Sequence, residues 1–373
     1  MNERDEFLRN RLQPGRPTAP AARPGIPPAP SRPAAPRPPA PSAPSTPSAP
    51  RPPAPSRLPP RSTAPAAPVT AELPERGWRR ILRLVTFGLV KPGPSAAQRE
   101  EARFEAAIRT GLRGNYKVGV VGKGGVGKTS VAASVGSLLA ELRPQDHVVA
   151  IDADTAFGRL SSRIDPHSTA SFWEITSDNN LRSFTDVIER VGRNSTGLHV
   201  LAGEPASGPR RVLDPAIYRE AALRLDRHFT ISVIDCGSTM DSPVTQEVLR
   251  DLDALIVVSS PWADGASAAA RTIQWLSDQG MAELLRHTIV VLNDSDGHAD
   301  KRTRELLARE FIEHGQPVVE VPFDPHLRPG GVIDVTHEMA SATRRKFLQV
   351  TATVAGYFAA RPGRDRRPDT DGS

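Results

Sequence analysis

Cysteine is almost missing: Cys236 is the only one in 373 residues. That excludes an intramolecular disulfide framework and fits a reducing cytoplasm. Runs of about 18 apolar residues are missing too, so nothing is long enough to span a bilayer. No apolar segment follows the first residues in the manner of a secretory signal. Between Phe7 and Ala71 there is no lysine and no acidic residue, only nine arginines as charged groups. Residues 1–71 therefore carry +7 and the remainder −1, against +6 for the chain. The basic character belongs to this leading segment, and the rest offers no composition-level argument for nucleic-acid binding.

Proline dominates where acid is missing, with 23 of the 38 prolines in residues 1–74. Ala, Ser and Arg fill most of the remainder, too little apolar surface to offset ordering entropy, so 1–74 reads as a disordered Pro/Ala/Arg-rich tail. Prolines at every third position, from Pro24 to Pro39 and again from Pro41 to Pro53, line edges of a polyproline II rod. Such a rod serves as a stiff spacer or as a PxxP ligand for an aromatic-lined groove.

Residues 75–114 read as a basic amphipathic helix and a charged linker helix. Trp78, Ile81, Leu82, Val85 and Leu89 share one helical face, and Arg76, Arg79, Arg80 and Arg83 another. That helix suits an anionic membrane surface, a partner protein or the following domain. Pro92 and Pro94 stop it, and 95–113 reads as the charged helix.

From Asn115 roughly 260 residues remain, enough for one α/β domain, expected over 115–361 with a polar C-terminal tail at 362–373. Apolar strand candidates lie at 117–121, 148–151, 198–201, 231–234, 254–258, 288–292 and 318–321. Helical patterns fall between most of them, at 130–142, 216–225, 245–252, 266–279 and 301–314. Short β-branched runs alternating with helices predict a three-layer, doubly wound, mostly parallel sheet, with ligands at the carboxyl ends of its strands.

One segment carries the chemistry. Gly122-Lys123-Gly124-Gly125-Val126-Gly127-Lys128-Thr129 follows an apolar strand and runs into a helix at Ser130. Its glycines let backbone N–H groups face phosphate oxygens, Lys128 reaches the β/γ-phosphates and Thr129 ligates Mg²⁺. The helix dipole adds to the anion site. The strand at 148–151 ends in Asp152-Ala153-Asp154, and the strand at 231–234 ends in Asp235-Cys236-Gly237. Asp235 fits the acid that holds Mg²⁺, and Gly237 a loop that senses the γ-phosphate. Asp154 suits orienting or deprotonating the attacking water, and Asp152 holding the loop or the metal shell.

Lys123-Gly124-Gly125-Val126-Gly127-Lys128-Thr129 resembles the deviant Walker A motif of the MinD/ParA ATPases, P-loop NTPases of the SIMIBI class. The resemblance implies an ATP- and Mg²⁺-dependent homodimer of low turnover, with Lys123 reaching the partner's nucleotide. It also implies that Asp152 and Asp154 are switch I acids, that Asp235 and Gly237 open switch II, and that Asn293, Pro322, Phe323 and Asp324 read the adenine. The order of Pro/Ala-rich tail, Gly77-Trp78-Arg79-Arg80, charged helix, KGGVGKT loop, Asp264-Gly265-Ala266 and Pro322-Phe323-Asp324-Pro325-His326-Leu327 is similar to the EspI-like ATPases of actinobacterial type VII (ESX) secretion. That likeness implies secretion components as partners, through the tail or the Trp78 helix.

Two departures stand out. Asp154 is followed by Thr155-Ala156-Phe157-Gly158-Arg159 where many ParA proteins have Pro-Gln-Gly-Asn, which leaves water positioning open. The polar residues after Arg361 lack the amphipathic helix by which MinD reaches the membrane. Membrane contact, if peripheral at the inner face, falls to residues 78–90. No helix-turn-helix signature supports specific DNA reading; Arg344-Arg345-Lys346 is either a solvated helix face or a patch for non-specific DNA. Alternatives to the ATPase switch are an ATP-sensing interaction protein with negligible hydrolysis and a ParA-like partitioning ATPase.

Overall fold

The strands that form are β1 (Tyr116–Gly122), β2 (Val148–Ala153), β3 (Gly192–Arg193), β4 (His199–Leu201), β5 (Ile231–Cys236), β6 (Ala254–Ser259), β7 (Thr288–Asn293) and β8 (Val318–Val321). The computed structural model describes residues 93–154, 158–168, 170–203 and 211–361. The expected tail at 1–74, the Trp78 helix and the tail at 362–373 lie outside the described residues.

The sheet order is β3-β4-β2-β5-β1-β6-β7-β8, parallel throughout except for the short antiparallel β3–β4 pair. Successive strand side chains alternate between two buried layers. Val118 and Val120 of β1 share one buried cluster with Ile108, Leu138 and Phe347; Val121 belongs to the other, with Val248, Leu276 and Phe172. Burial on both faces explains why the strands read as continuous β-branched runs.

The first layer holds α1 (Ala96–Ile108), α2 (Lys128–Leu142) and α11 (Ser341–Ala360). The second holds α4 (Phe172–Ser177), α6 (Pro215–Leu225), α7 (Pro243–Asp251), α8 (Ala263–Asp278) and α10 (Lys301–Glu313). Three short helices complete the series: α3 (Leu160–Ile164), α5 (Phe184–Ile188) and α9 (Ala282–Arg286).

The charged helix expected at 95–113 forms as α1, started by a capping box between Ser95 and Gln98. It is held to the domain. Arg344 of α11 pairs with Glu101 at 3.1 Å, Glu105 at 3.8 Å and Glu141 at 2.8 Å. Arg143 donates to the carbonyls of Ile108 and Thr110, closing the carboxyl end of α1. Arg344 is thus committed to three carboxylates rather than standing in a free basic patch.

Strand β1 lies between β5 and β6, while β2 lies beyond β5. Connections from β1 therefore leave in both directions, and a crevice opens at its carboxyl end. Gly122, Ser259 and Asn293 end their strands at that edge, and Asp152 and Asp235 stand one residue before the ends of theirs.

Candidate functional site

The loop after β1 is shaped by its glycines. Gly125 and Gly127 have φ of 84° and 91°, the left-handed region that favours glycine. A Cβ on Gly127 would also lie 2.4 Å from Asn293 Nδ2. Gly127 is the N-cap of α2 and supplies no side-chain cap, whereas Ser95, Asp214, Ser242 and Asp300 cap their own helices. The first-turn N–H groups of α2 thus face the crevice without a side-chain acceptor from the cap, a ready anion site. Lys128 folds back over the loop, with Nζ donating to the carbonyl of Lys123 at 3.3 Å.

Two acids meet beside this loop. Asp152 and Asp235 are register partners on β2 and β5, each 1% exposed. Burial is the first cause pushing both carboxyls above the ordinary range. Asp235 adds to the effect at Asp152, and Asp154 adds to it at Asp235. Thr129 donates its hydroxyl to Asp235, while Oδ1 of Asp235 is buried without a hydrogen-bond partner among the described residues.

Asp152 is used differently. Its oxygens accept the N–H of Asp154 at 3.2 Å and of Leu160 at 2.9 Å, so it caps α3 from the strand end. Gly158 and Gly203 leave room for it: a Cβ on Gly158 would sit 2.3 Å from Asp152 Oδ1, and one on Gly203 2.9 Å from its carbonyl oxygen. Asp154 lies against the start of the loop after β5, where a Cβ on Gly237 would be 3.3 Å from Asp154 Oδ1.

A cavity of about 340 Å³ joins the first turn of α2 to the loops after β7 and β8. Thr129, Asn293 and Phe323 are among its lining residues. Asn293 Nδ2 donates to the carbonyl of Val126 at 2.9 Å, which directs its Oδ1 as an acceptor. Asp324 lines the cavity but spends its oxygens on its own loop, accepting from His326 and Ala340 N–H groups at 3.0 and 2.9 Å. Pro322 stands one residue before the lining segment. Lys123 sits apart, beside a second cavity of about 300 Å³ with Asp264, Ser267 and Arg271.

The lining also includes Arg159, Ser162 and Arg163 of the α3 region, which motif reading did not pick out. A five-residue helix is too short for a periodic signal. The only hint was that residues 155–159 depart from the usual run after the second acid.

Matches with known proteins agree with this geometry. The CobQ/CobB/MinD/ParA nucleotide binding domain model matches residues 118–329. The ESX-1 secretion-associated protein EspI of Mycobacterium tuberculosis (strain H37Rv) is 31% identical over 288 residues, covering 76% of this chain and 42% of that protein. This chain thus spans less than half the length of that relative. The septum site-determining protein MinD of Thermotoga maritima is 27% identical over 203 residues, 54% of this chain and 71% of that protein. The solved cell division ATPase MinD of Pyrococcus furiosus is similar in fold, with a TM-score of 0.50 at 18% identity, over 65% of this chain and 99% of that one.

Proposed function

The chain belongs to the CobQ/CobB/MinD/ParA nucleotide binding domain family, and from that membership we propose that it is an Mg-ATP-dependent dimerisation switch of slow turnover acting in type VII protein secretion. The observation that carries the reading is the buried Oδ1 of Asp235, without a hydrogen-bond partner among the described residues, beside the Thr129 hydroxyl at the open first turn of α2.

An all-oxygen pair of carboxylate and hydroxyl fits Mg²⁺, which takes one or two protein ligands and completes its shell with phosphates and water. No group of three or more His, Cys, Asp or Glu side chains forms a metal cage among the described residues, and such a site needs none. Thr129 and Asp235 would hold the ion, which when bound supplies charge neutralisation at the phosphoryl oxygens.

The chain's own residues do the rest. Lys128 and the N–H groups of 124–129 bind the phosphates. Asn293, its amide nitrogen engaged by Val126, offers an oxygen to a 6-amino group, which adenine has where guanine carries a 6-oxo group. Asp152 accepts the N–H of Asp154, and Asp154, which faces Gly237, would orient the attacking water. Lys123, half-exposed on the loop and paired with Asp264 outside that cavity, would leave that pair to reach a partner's nucleotide.

The secretion role rests on the likeness to EspI, which is named as an ESX-1 secretion-associated protein. A partitioning role through Arg344-Arg345-Lys346 is weakened by the three carboxylates around Arg344. Calorimetric titration with ATP tests the site: binding that needs Mg²⁺ and is lost in Lys128→Ala supports it, and unchanged affinity in that variant refutes it. Phosphate release compared between wild type and Asp154→Ala separates a slow ATPase from an ATP sensor. Secretion assayed in cells carrying Lys128→Ala tests the pathway.

A further inference from the structure

Arg163 sits within α3 with 6% of its surface exposed, yet its guanidinium reaches three segments. Nη2 donates to Ser130 Oγ at 2.8 Å and to the carbonyl of Leu327 at 2.5 Å; Nη1 donates to the carbonyl of Gly331 at 2.9 Å. Its own carbonyl accepts the N–H of Ile333 at 2.9 Å. Ser130 follows Thr129 on α2. Residues 323–330 supply the far wall of the 340 Å³ cavity, and Arg163 lines it between them.

The helix that carries Arg163 is also tied to the acids. Its first N–H, that of Leu160, is bound by Asp152, whose other oxygen holds the N–H of Asp154. One side chain therefore links the phosphate half of the cavity, the wall after β8 and the loop bearing Asp154. The guanidinium is planar with donors in a fixed fork, so the three acceptors must keep their relative positions to stay bonded. A buried cation also loses heavily when any acceptor leaves, which makes the segments move together.

We propose that Arg163 is a positioning residue that couples occupancy of the base wall at 323–330 to the stability of α3, which Asp152 ties to Asp154. That helix then responds to a nucleoside triphosphate more strongly than to a bare triphosphate. This rests on the nucleotide reading above and adds the route by which the base is felt at the acids.

Hydrogen–deuterium exchange on the full chain tests it, with Mg-ATP and Mg-tripolyphosphate as the two probes. In wild type, ATP slows exchange across 158–168 at least threefold more than tripolyphosphate does. In Arg163→Met that difference disappears, while slowing at 123–129 by ATP persists. Ser130→Ala, which leaves the bonds to Leu327 and Gly331 and hence the route from the base wall intact, keeps the difference. An Arg163→Met protein that keeps the wild-type difference between the two probes overturns the proposal, including the case where it only raises exchange in the ligand-free protein, as does a Ser130→Ala protein that loses the difference. If ATP fails to slow exchange at 123–129 in wild type, the nucleotide reading itself falls, and the proposal with it.

Discussion

Lys123 and Asp264 are joined within one subunit, with Nζ 2.5 Å from Oδ2 across the mouth of the 300 Å³ cavity. The hydrogen bond from Lys123 is the main cause holding the Asp264 carboxyl below its ordinary range. A lysine held there is not at a partner's phosphates, so the two positions compete.

Asp264→Ala is expected to strengthen ATP-dependent dimerisation. Both side chains are about half exposed, at 48% and 58%. A pair of that kind is worth about 0.2–1 kcal/mol and two break per dimer, which limits the gain to roughly thirtyfold. Sedimentation equilibrium in low salt reads the change, and the gain should fade near 1 M salt, where the screening length is about 3 Å. Unchanged or weakened dimerisation at low salt argues against competition.

Asp235→Asn is expected to stabilise the ligand-free protein while removing the Mg²⁺-dependent part of ATP affinity. Two carboxylates facing each other across β2 and β5 disfavour the folded state when both are charged. Their folded pKa values lie above the unfolded ones, so this part of the stability is present in acid and lost as pH rises toward about 8 and about 7 for Asp152 and Asp235. The variant should therefore melt higher by a few degrees at pH 8 and show no advantage near pH 4. A lower melting temperature at pH 8 would contradict the electrostatic account of the pair.

His199 gives the opposite slope. Burial first, then Arg193 and His147, pulls its pKa down to about 4, and it packs edge-on against Phe184 and Phe229. A neutral buried imidazole supports the fold above the unfolded value of 6.5, and that support is lost as pH falls toward 4. Between pH 7 and pH 5 the loss is about 1–2 kcal/mol. In His199→Leu the melting temperature should change several degrees less over that interval than in wild type. Equal changes in the two proteins would remove His199 from the acid response.

Gly158→Ala tests the packing of Asp152. The constraint is space, because the new Cβ meets a carboxylate with nowhere to go. Overpacking of this kind costs about 1–3 kcal/mol. Phosphate release should fall by more than ATP affinity does, since the displaced element carries Asp154 rather than the phosphate loop. An equal fall in both would place the damage at the loop of 122–129 instead.

The sheet and the phosphate loop were legible in the sequence for a physical reason: strands buried on both faces are written as unbroken apolar runs. The expected strands stopped short at their carboxyl ends, because Gly122, Asp152, Asp235 and Asn293 look like loop residues. They are in fact paired in the ladder, Asp152 with Asp235 and Asn293 with Val321. The two-residue β3 and the five-residue helices were not anticipated, being too short for any period to register. Helix α11 was legible only as a candidate helix face at 344–346, its extent hidden for the reverse reason. It is packed around much of its circumference, so no polar stripe marks it. Arg163 and the pairing of Lys123 with Asp264 depend on contacts between residues 33 or more positions apart, which no local pattern encodes.

The central claim is that Lys123 makes this nucleotide site a dimer switch, and light scattering of the full chain with Mg-ATP and with Mg-ADP measures it most directly. Wild type is expected to double in mass with Mg-ATP and stay monomeric with Mg-ADP, while Lys123→Ala binds ATP with near-normal affinity yet stays monomeric. A Lys123→Ala protein that dimerises with ATP as wild type does, or a wild type whose mass ignores the nucleotide, would contradict the account.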